Sequence, residues 1–305
     1  MRFDVICFGA LNLDRLCRVD RIAREDEEST VIEVEEYPGG SAANTAVGLA
    51  RLGLKVGYVG KVSRDREGEI LVRSLKDEGV NTGGVVVSKT GRSGVVYGYV
   101  DRSGNRALYV DPGVNSQLDF GEIDIEYVSS TKFLHISSFV GERAFRAQLE
   151  VLKVLPEGVK VSLDPGNIYA RKGLESLSEM LDRCYVVMPS EFEVKLITGK
   201  RDIKEGAEKI LSLGPSIVAV KLGSRGCYVT NGDESHFIRA FKVKVVDTTG
   251  AGDAFNAGFL YGVLKGRGIL EAGRLGNFVA SRCIMSRGAR AGLPSEEDVK
   301  RASLI

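Results

Sequence analysis

A chain of 305 residues with 43% hydrophobic and 27% charged residues can bury a large core. Its net charge of +1 gives no footprint for nucleic acid or an anionic membrane surface, and no apolar run reaches the roughly 18 residues of a membrane span. No signal peptide is expected at the start of the chain, and the five scattered cysteines (Cys7, Cys17, Cys184, Cys227, Cys283) read as reduced thiols of a cytoplasmic protein. His135 and His236 stand alone, so structural roles are expected for both.

The first β-like run, Phe3–Phe8, leads into Gly9-Ala10-Leu11-Asn12-Leu13-Asp14. Asn12 and Asp14 therefore follow a strand's C-terminal end, where they either meet a ligand or close an Asx turn. Leu16–Tyr37 alternates in part (Ile32, Val34) and predicts antiparallel strands. Gly39-Gly40-Ser41-Ala42-Ala43-Asn44 opens a helix over Ser41–Leu52. Its small residues leave room beside a ligand, and Asn44 is a poor helix former, which favours ligand contact. Strand Val56–Val59 and helix Glu67–Glu78 come next. Ser93–Val110 again alternates (Val95, Tyr97, Tyr99), with a hairpin tip at Asp101–Asn105. Strands Lys132–Ile136, Val159–Leu163, Tyr185–Met188 and Ile217–Lys221 then interleave with helices Glu142–Leu155, Gly173–Arg183, Glu191–Thr198 and Ile203–Leu213. An edge hairpin over Cys227–Ile238 turns at Asn231-Gly232, and helices Asp253–Lys265 and Ile269–Arg287 close the chain. The pattern predicts one α/β domain over residues 1–305, with a mainly parallel central sheet flanked by helices. Two insertions, at about 16–37 and 93–110, would form a small β-sheet lid over the strand ends.

Asp247-Thr248-Thr249-Gly250-Ala251-Gly252-Asp253 is the most specific segment. Gly250 and Gly252 let an anion approach the unpaired N–H groups of a helix start. A carboxylate there repels a phosphate unless it takes a proton from the group that attacks it. Asp253 therefore points to phosphoryl transfer to an alcohol. Asn12, Asp14 and Asn44 suit vicinal hydroxyls, which describes a polyol site. Lys221-Leu222-Gly223-Ser224-Arg225-Gly226 ends a strand and either lies over a nucleotide or is an ordinary turn. Glu193, at the helix start Pro189–Glu193, either holds water on Mg²⁺ or complements the helix dipole. No Gly-x-Gly-x-x-Gly follows the first strand, which argues against a dinucleotide-binding dehydrogenase. A sensor that has lost catalysis is a further alternative, but the presence of Asp253, both glycines and Glu193 argues against it.

Taken in order, these segments and Arg287-Gly288-Ala289 before Pro294 resemble the ribokinase, or PfkB, family of carbohydrate kinases over nearly the whole chain. The resemblance implies a ribokinase-like fold whose β lid forms a homodimer contact. It implies Asp253 as catalytic base and the amides of Gly250, Ala251 and Gly252 as an anion hole. Asn12, Asp14, Gly40 and Asn44 would contact the acceptor; Ser190, Lys221, Gly223, Ser224, Gly226, Gly252 and Asn277 the nucleotide. Glu193 would act on Mg²⁺ through water, and Asp247, Thr249, Cys283, Ser286, Gly288 and Gly292 would surround a monovalent cation such as K⁺. The acceptor would be a sugar or nucleoside, with a sugar phosphate or inositol as alternatives, and the donor ATP or else ADP. The chain departs from the family's Asn-x-x-Glu in having Ser190, and Ser138 or Phe139 stands where a sugar-contacting Glu is common. Lys61, Arg64 and Arg66 around Asp65-Arg66-Glu67-Gly68, and Arg171-Lys172, either favour a phosphorylated acceptor or are solvated surface charge.

Overall fold

The computed structural model describes residues 2–302. Its strands are β1 (Phe3–Phe8), β2 (Asn12–Val19), β3 (Val31–Gly39), β4 (Val56–Ser63), β5 (Asn81–Ser88), β6 (Gly94–Val100), β7 (Arg106–Asp111), β8 (Thr131–Ser137), β9 (Lys160–Asp164), β10 (Val186–Val187), β11 (Ile217–Lys221), β12 (Cys227–Thr230) and β13 (Ser235–Ile238). Its helices are α1 (Ser41–Arg51), α2 (Arg66–Asp77), α3 (Ile125–Ser129), α4 (Glu142–Val154), α5 (Gly166–Ala170), α6 (Gly173–Asp182), α7 (Glu191–Thr198), α8 (Ile203–Leu211), α9 (Ala251–Leu264), α10 (Ile269–Cys283) and α11 (Glu296–Arg301).

Nine strands form one sheet in the order β13-β12-β11-β10-β9-β8-β1-β4-β5. Pairing is parallel from β11 to β5, and β12 and β13 add an antiparallel edge. The chain builds outward from β1 in one direction through β4 and β5, then in the other through β8 to β11. Strand order therefore reverses between β1 and β8, and a crevice opens there beyond the strands' C-terminal ends. Each face of the sheet carries its own apolar layer. Val5, Cys7 and Tyr58 pack against α1, α9 and α10 on one side; Ile6, Leu134 and Leu163 pack against α4 and α6 on the other. Helix α9 is buried on almost every side, as the central helix of the first layer.

A separate four-stranded sheet has the order β3-β2-β6-β7. The expectation of antiparallel strands needs correction at its centre. The outer pairs are antiparallel, but β2 and β6 run parallel, from Asn12↔Gly94 to Arg18↔Val100. The cause lies in the larger sheet: β1 and the β4–β5 unit run parallel there and feed β2 and β6 in the same sense. Strand β5 was not anticipated, because Gly83 and Gly84 dilute its pattern; their backbone lies beneath the Tyr127 ring. Helix α10 ends at Cys283 and not at Arg287, because Val246 and Asp247 donate to the Ile284 carbonyl (2.8 and 3.3 Å) and the chain turns into a loop. All five cysteines are buried free thiols. Among the described residues no helix is long and apolar enough to cross a membrane.

Candidate active site

The crevice between β1 and β8 opens into a pocket of about 280 Å³ beneath the small sheet. Asn12, Asp14, Gly40, Asn44, Gly250 and Asp253 all line it, brought together from three separate stretches of sequence. The opposite wall is apolar, from Val96, Val110, Pro112, Val140 and Ile168. Close packing explains the two glycines before α1. A Cβ on Gly39 would stand 2.4 Å from Asp14 Oδ2, and one on Gly40, where φ is +105°, would stand 2.2 Å from the Ala10 carbonyl. Asn12 is fixed by Asn115, which no motif in the sequence marks. Asn115 Nδ2 donates to Asn12 Oδ1 (3.0 Å) and to the Leu11 carbonyl (2.7 Å), and its Oδ1 accepts from Leu11 N–H (3.1 Å). Burial raises the Asp14 carboxyl to about 6, against the pull of Arg290 and Arg106.

Asp253 lies in the first turn of α9. Asn44 Nδ2 donates to its Oδ2 (2.9 Å), and Thr45 Oγ1 donates to its carbonyl (3.3 Å), which ties the starts of α1 and α9 together. Burial raises its carboxyl to about 7. Asp164 adds to that, while bonds from Asn44 and Ser41 and the charge of Lys221 oppose it. The turn before it needs a left-handed residue: Gly250 has φ +76°, and a Cβ there would stand 2.5 Å from that of Ala289. Ala254 is the first residue to close a helical bond, to Gly250 (2.9 Å), and Ala251 N–H is taken by Thr248 (3.2 Å). The N–H groups of Gly252 and Asp253 are thereby left to an incoming anion.

Lys221 serves the same helix end from β11. Its Nζ lies 3.6 Å from where a Cβ on Gly252 would be. It pairs with Asp164 Oδ2 (2.6 Å), which also accepts from Asn256 Nδ2 (2.6 Å). Burial alone would lower the Lys221 pKa, but the Asp164 and Glu193 carboxylates outweigh it and hold the ammonium protonated. Asp164 and Asn256 are supporting residues that the sequence reading missed; an Asn in the middle of a buried helix was the available signal. Ser190 and Glu193 form a capping box at the start of α7, with Ser190 N–H to Glu193 Oε2 at 2.7 Å and Glu193 N–H to Ser190 Oγ at 3.3 Å. Burial, and then Asp164, raise the Glu193 carboxyl. Glu193 supplies a buried carboxylate, the ligand type that would hold a water of a hydrated Mg²⁺. Gly223, Ser224 and Gly226 form the turn between β11 and β12, and Gly226 lies against the Ile238 carbonyl. Asn277 Nδ2 donates to the carbonyls of Ile238 (3.1 Å) and Arg239 (3.3 Å), which fixes the chain at the end of β13.

Asp247 binds the loop around Gly288. Its carboxylate accepts from Thr249 N–H (2.9 Å), Thr249 Oγ1 (2.8 Å) and Gly288 N–H (2.8 Å). These bonds outweigh its burial and hold its pKa low. The Cys283 thiol, raised to about 12 mainly by burial, lies 3.7 Å from the Thr249 carbonyl and 3.3 Å from that of Ala289. Gly292 packs on the Arg282 and Cys283 carbonyls, and Ser286 lies in the intervening turn. The donors gathered here are hard oxygens, which fit an alkali cation. Among the described residues no His, Cys, Asp and Glu side chains group as a cage for a transition metal.

Ser138 lines the pocket, whereas Phe139 is buried in the core against Phe8. None of the five basic residues near Asp65 and Gly166 lines the pocket. Lys61 is not solvated but buried, with both Glu122 oxygens within 2.7 Å. Arg66 pairs with Glu36, Lys172 pairs with Glu142, and Arg64 and Arg171 face outward. His135 is buried and neutral, its pKa drawn down to about 4 by burial, with Nδ1 3.0 Å from Ser162 Oγ.

The chain matches the pfkB family carbohydrate kinase profile over residues 2–296. It is 44% identical over 252 residues to a sugar kinase of Archaeoglobus fulgidus, covering 83% of this chain and 100% of that one. It is 34% identical over 256 residues to an ATP-dependent ribose-1-phosphate kinase of Halopiger xanaduensis, covering 84% and 83%. The crystal structure of a ribokinase from Thermotoga maritima superposes with a TM-score of 0.87 at 28% identity, covering 98% of each chain. The chain belongs to the pfkB family of carbohydrate kinases: it is a sugar or nucleoside kinase with the ribokinase fold, from a family that uses a nucleotide co-substrate.

Proposed function

We propose that this enzyme transfers the γ-phosphate of ATP to a hydroxyl of an uncharged sugar or nucleoside, and that Asp253 accepts the hydroxyl proton. The observation that carries the reading is the position of Asp253. Its carboxylate lines the acceptor pocket, has a pKa raised to about 7, and belongs to a helix end with N–H groups open to an anion. Asn12, Asp14, Gly40 and Asn44 orient the acceptor. As its oxygen attacks, its proton passes to Asp253, and the amides of Gly250, Gly252 and Asp253 stabilise the transferred phosphoryl group; the Ala251 amide, expected among them, is engaged by the Thr248 carbonyl. Lys221, Ser190, Gly223, Ser224, Gly226 and Asn277 hold the nucleotide. When bound, Mg²⁺ neutralises phosphate charge. Asp247, Thr249, Cys283, Ser286, Gly288 and Gly292 would hold a monovalent cation that orders the loop before α9.

The absence of Lys or Arg among the pocket-lining residues favours an uncharged acceptor over a sugar phosphate. Incubation with Mg²⁺ and K⁺, each acceptor class against ATP and ADP, with direct readout of phosphorylated product, tests this. A neutral sugar or nucleoside should give the highest kcat/KM; preference for a phosphorylated acceptor would overturn the assignment.

Glu193→Gln should raise the Mg²⁺ concentration needed for half-maximal rate while leaving the acceptor KM unchanged. Gln preserves a capping box, so α7 should stay intact. A superimposable Mg²⁺ titration would remove Glu193 from the metal site.

The small sheet carries Val31, Ile32, Val34, Leu108, Tyr109 and Val110, all 46–64% exposed. A four-stranded sheet with open edges and this much apolar surface favours a homodimer joined through it. Light scattering should give twice the monomer mass at working concentration; a monomer would contradict the contact.

A further inference from the structure

Arg290 is a half-buried cation without a direct counter-ion. Its Nε donates to Asn44 Oδ1 (2.8 Å) and its Nη1 to Ser74 Oγ (3.3 Å), while Nη2 is buried with no partner among the described residues. One candidate carboxylate, Glu78, is taken up by Arg51 in a two-pronged pair (2.6 and 2.8 Å). Arg51 also donates to the Arg290 carbonyl (2.7 Å), which pins the backbone of this residue in place. A half-buried guanidinium with two neutral acceptors and one buried nitrogen left without a partner is a poor way to stabilise a fold. Its charge acts on Tyr58 and Glu78 and also reaches the two carboxylates of the acceptor pocket, Asp14 and Asp253.

The bond to Asn44 has a directional consequence. A guanidinium only donates, so the Asn44 amide must present its oxygen to Arg290 and its NH₂ to Asp253. The opposite orientation would set an amide oxygen against the carboxylate. We propose that Arg290 is a positioning residue for phosphoryl transfer: it locks the Asn44 amide in the orientation that donates to Asp253. This rests on Asp253 being the base. The other groups facing Asp253 are Ser41 of α1, Tyr58 of β4, Asp164 of β9, Lys221 of β11 and Cys283 of α10. None of them fixes the amide of Asn44.

The test compares R290M, R290K and D253N in the full chain. R290M should lower kcat by about 10-fold, the loss of one charge-assisted hydrogen bond, and leave the nucleotide KM unchanged. Its pH–rate profile should have the acid limb at higher pH than wild type, and R290K should recover part of both effects. If Met at this position prevents folding, R290A carries the same expectation, because it too removes the donor to Asn44. A folded R290M or R290A with wild-type kcat would overturn the proposal. So would a lower kcat with the acid limb unmoved, which is what a merely structural residue would give. An inactive D253N beside an unimpaired R290M would remove only the role of Arg290; an active D253N would remove the base assignment itself.

Discussion

Asp253→Asn is expected to reduce turnover by roughly 10²–10⁴, the usual contribution of a general base, while the protein folds and binds nucleotide as before. Asn keeps the side-chain shape, and its oxygen can still accept the bond that Asn44 donates. What it lacks is a lone pair basic enough to take the proton from the attacking hydroxyl. The N–H groups of Gly252 and Asp253 belong to the backbone, so the anion-binding helix end survives the substitution. Product formation at saturating substrates measures the loss, and a nucleotide fluorescence titration measures retained binding. A turnover near that of wild type would show that another group accepts the proton.

Asp14→Ala should act almost wholly on the acceptor. The carboxylate lies at the start of β2 and lines the pocket, which no residue of the Lys221–Gly226 turn does. Loss of charge-assisted hydrogen bonds to acceptor hydroxyls costs about 1.5–3 kcal/mol, so the acceptor KM should rise roughly 10–150-fold. The nucleotide KM should stay within about twofold, the noise of such contacts. Gly39 was fitted to the Asp14 side chain, and Ala there leaves space and adds no clash. Equal losses for both substrates, or none for the acceptor, would move the acceptor site elsewhere.

The sheet and most of its helices were legible in the sequence because their cause is local. Apolar runs and helical periodicity name the elements, and their βα alternation dictates parallel pairing. The segments at Asn12–Asp14, Gly39–Asn44 and Gly250–Asp253 were visible as motifs, and the fold gathers them around one pocket. The supporting shell was not legible. Asn115, Asp164, Asn256 and Arg290 each lie far along the chain from their partners, and an isolated polar residue has no signature until the fold supplies its neighbour. The parallel β2–β6 pairing was missed for the same reason. Alternation identifies a strand, but the direction of its neighbour is inherited from β1 and β5 in the other sheet. Glu193 shows the limit of a motif read alone, since one side chain caps α7 and also faces the buried Asp164.

The pH dependence of kcat/KM for the wild-type enzyme with its best acceptor reports most directly on the ionisation of the free enzyme's base. Asp253 must be deprotonated to accept a proton, and its pKa is raised to about 7, so the rate should fall as pH drops through that value. Asp14, raised to about 6, must also be ionised to hold the acceptor, so the decline should steepen below that second value. In Asp253→Asn the residual rate should lack the limb near pH 7 and keep the one attributed to Asp14. A wild-type profile that is flat across neutral pH, or a limb that persists unchanged in Asp253→Asn, would contradict the assignment of Asp253 as the base.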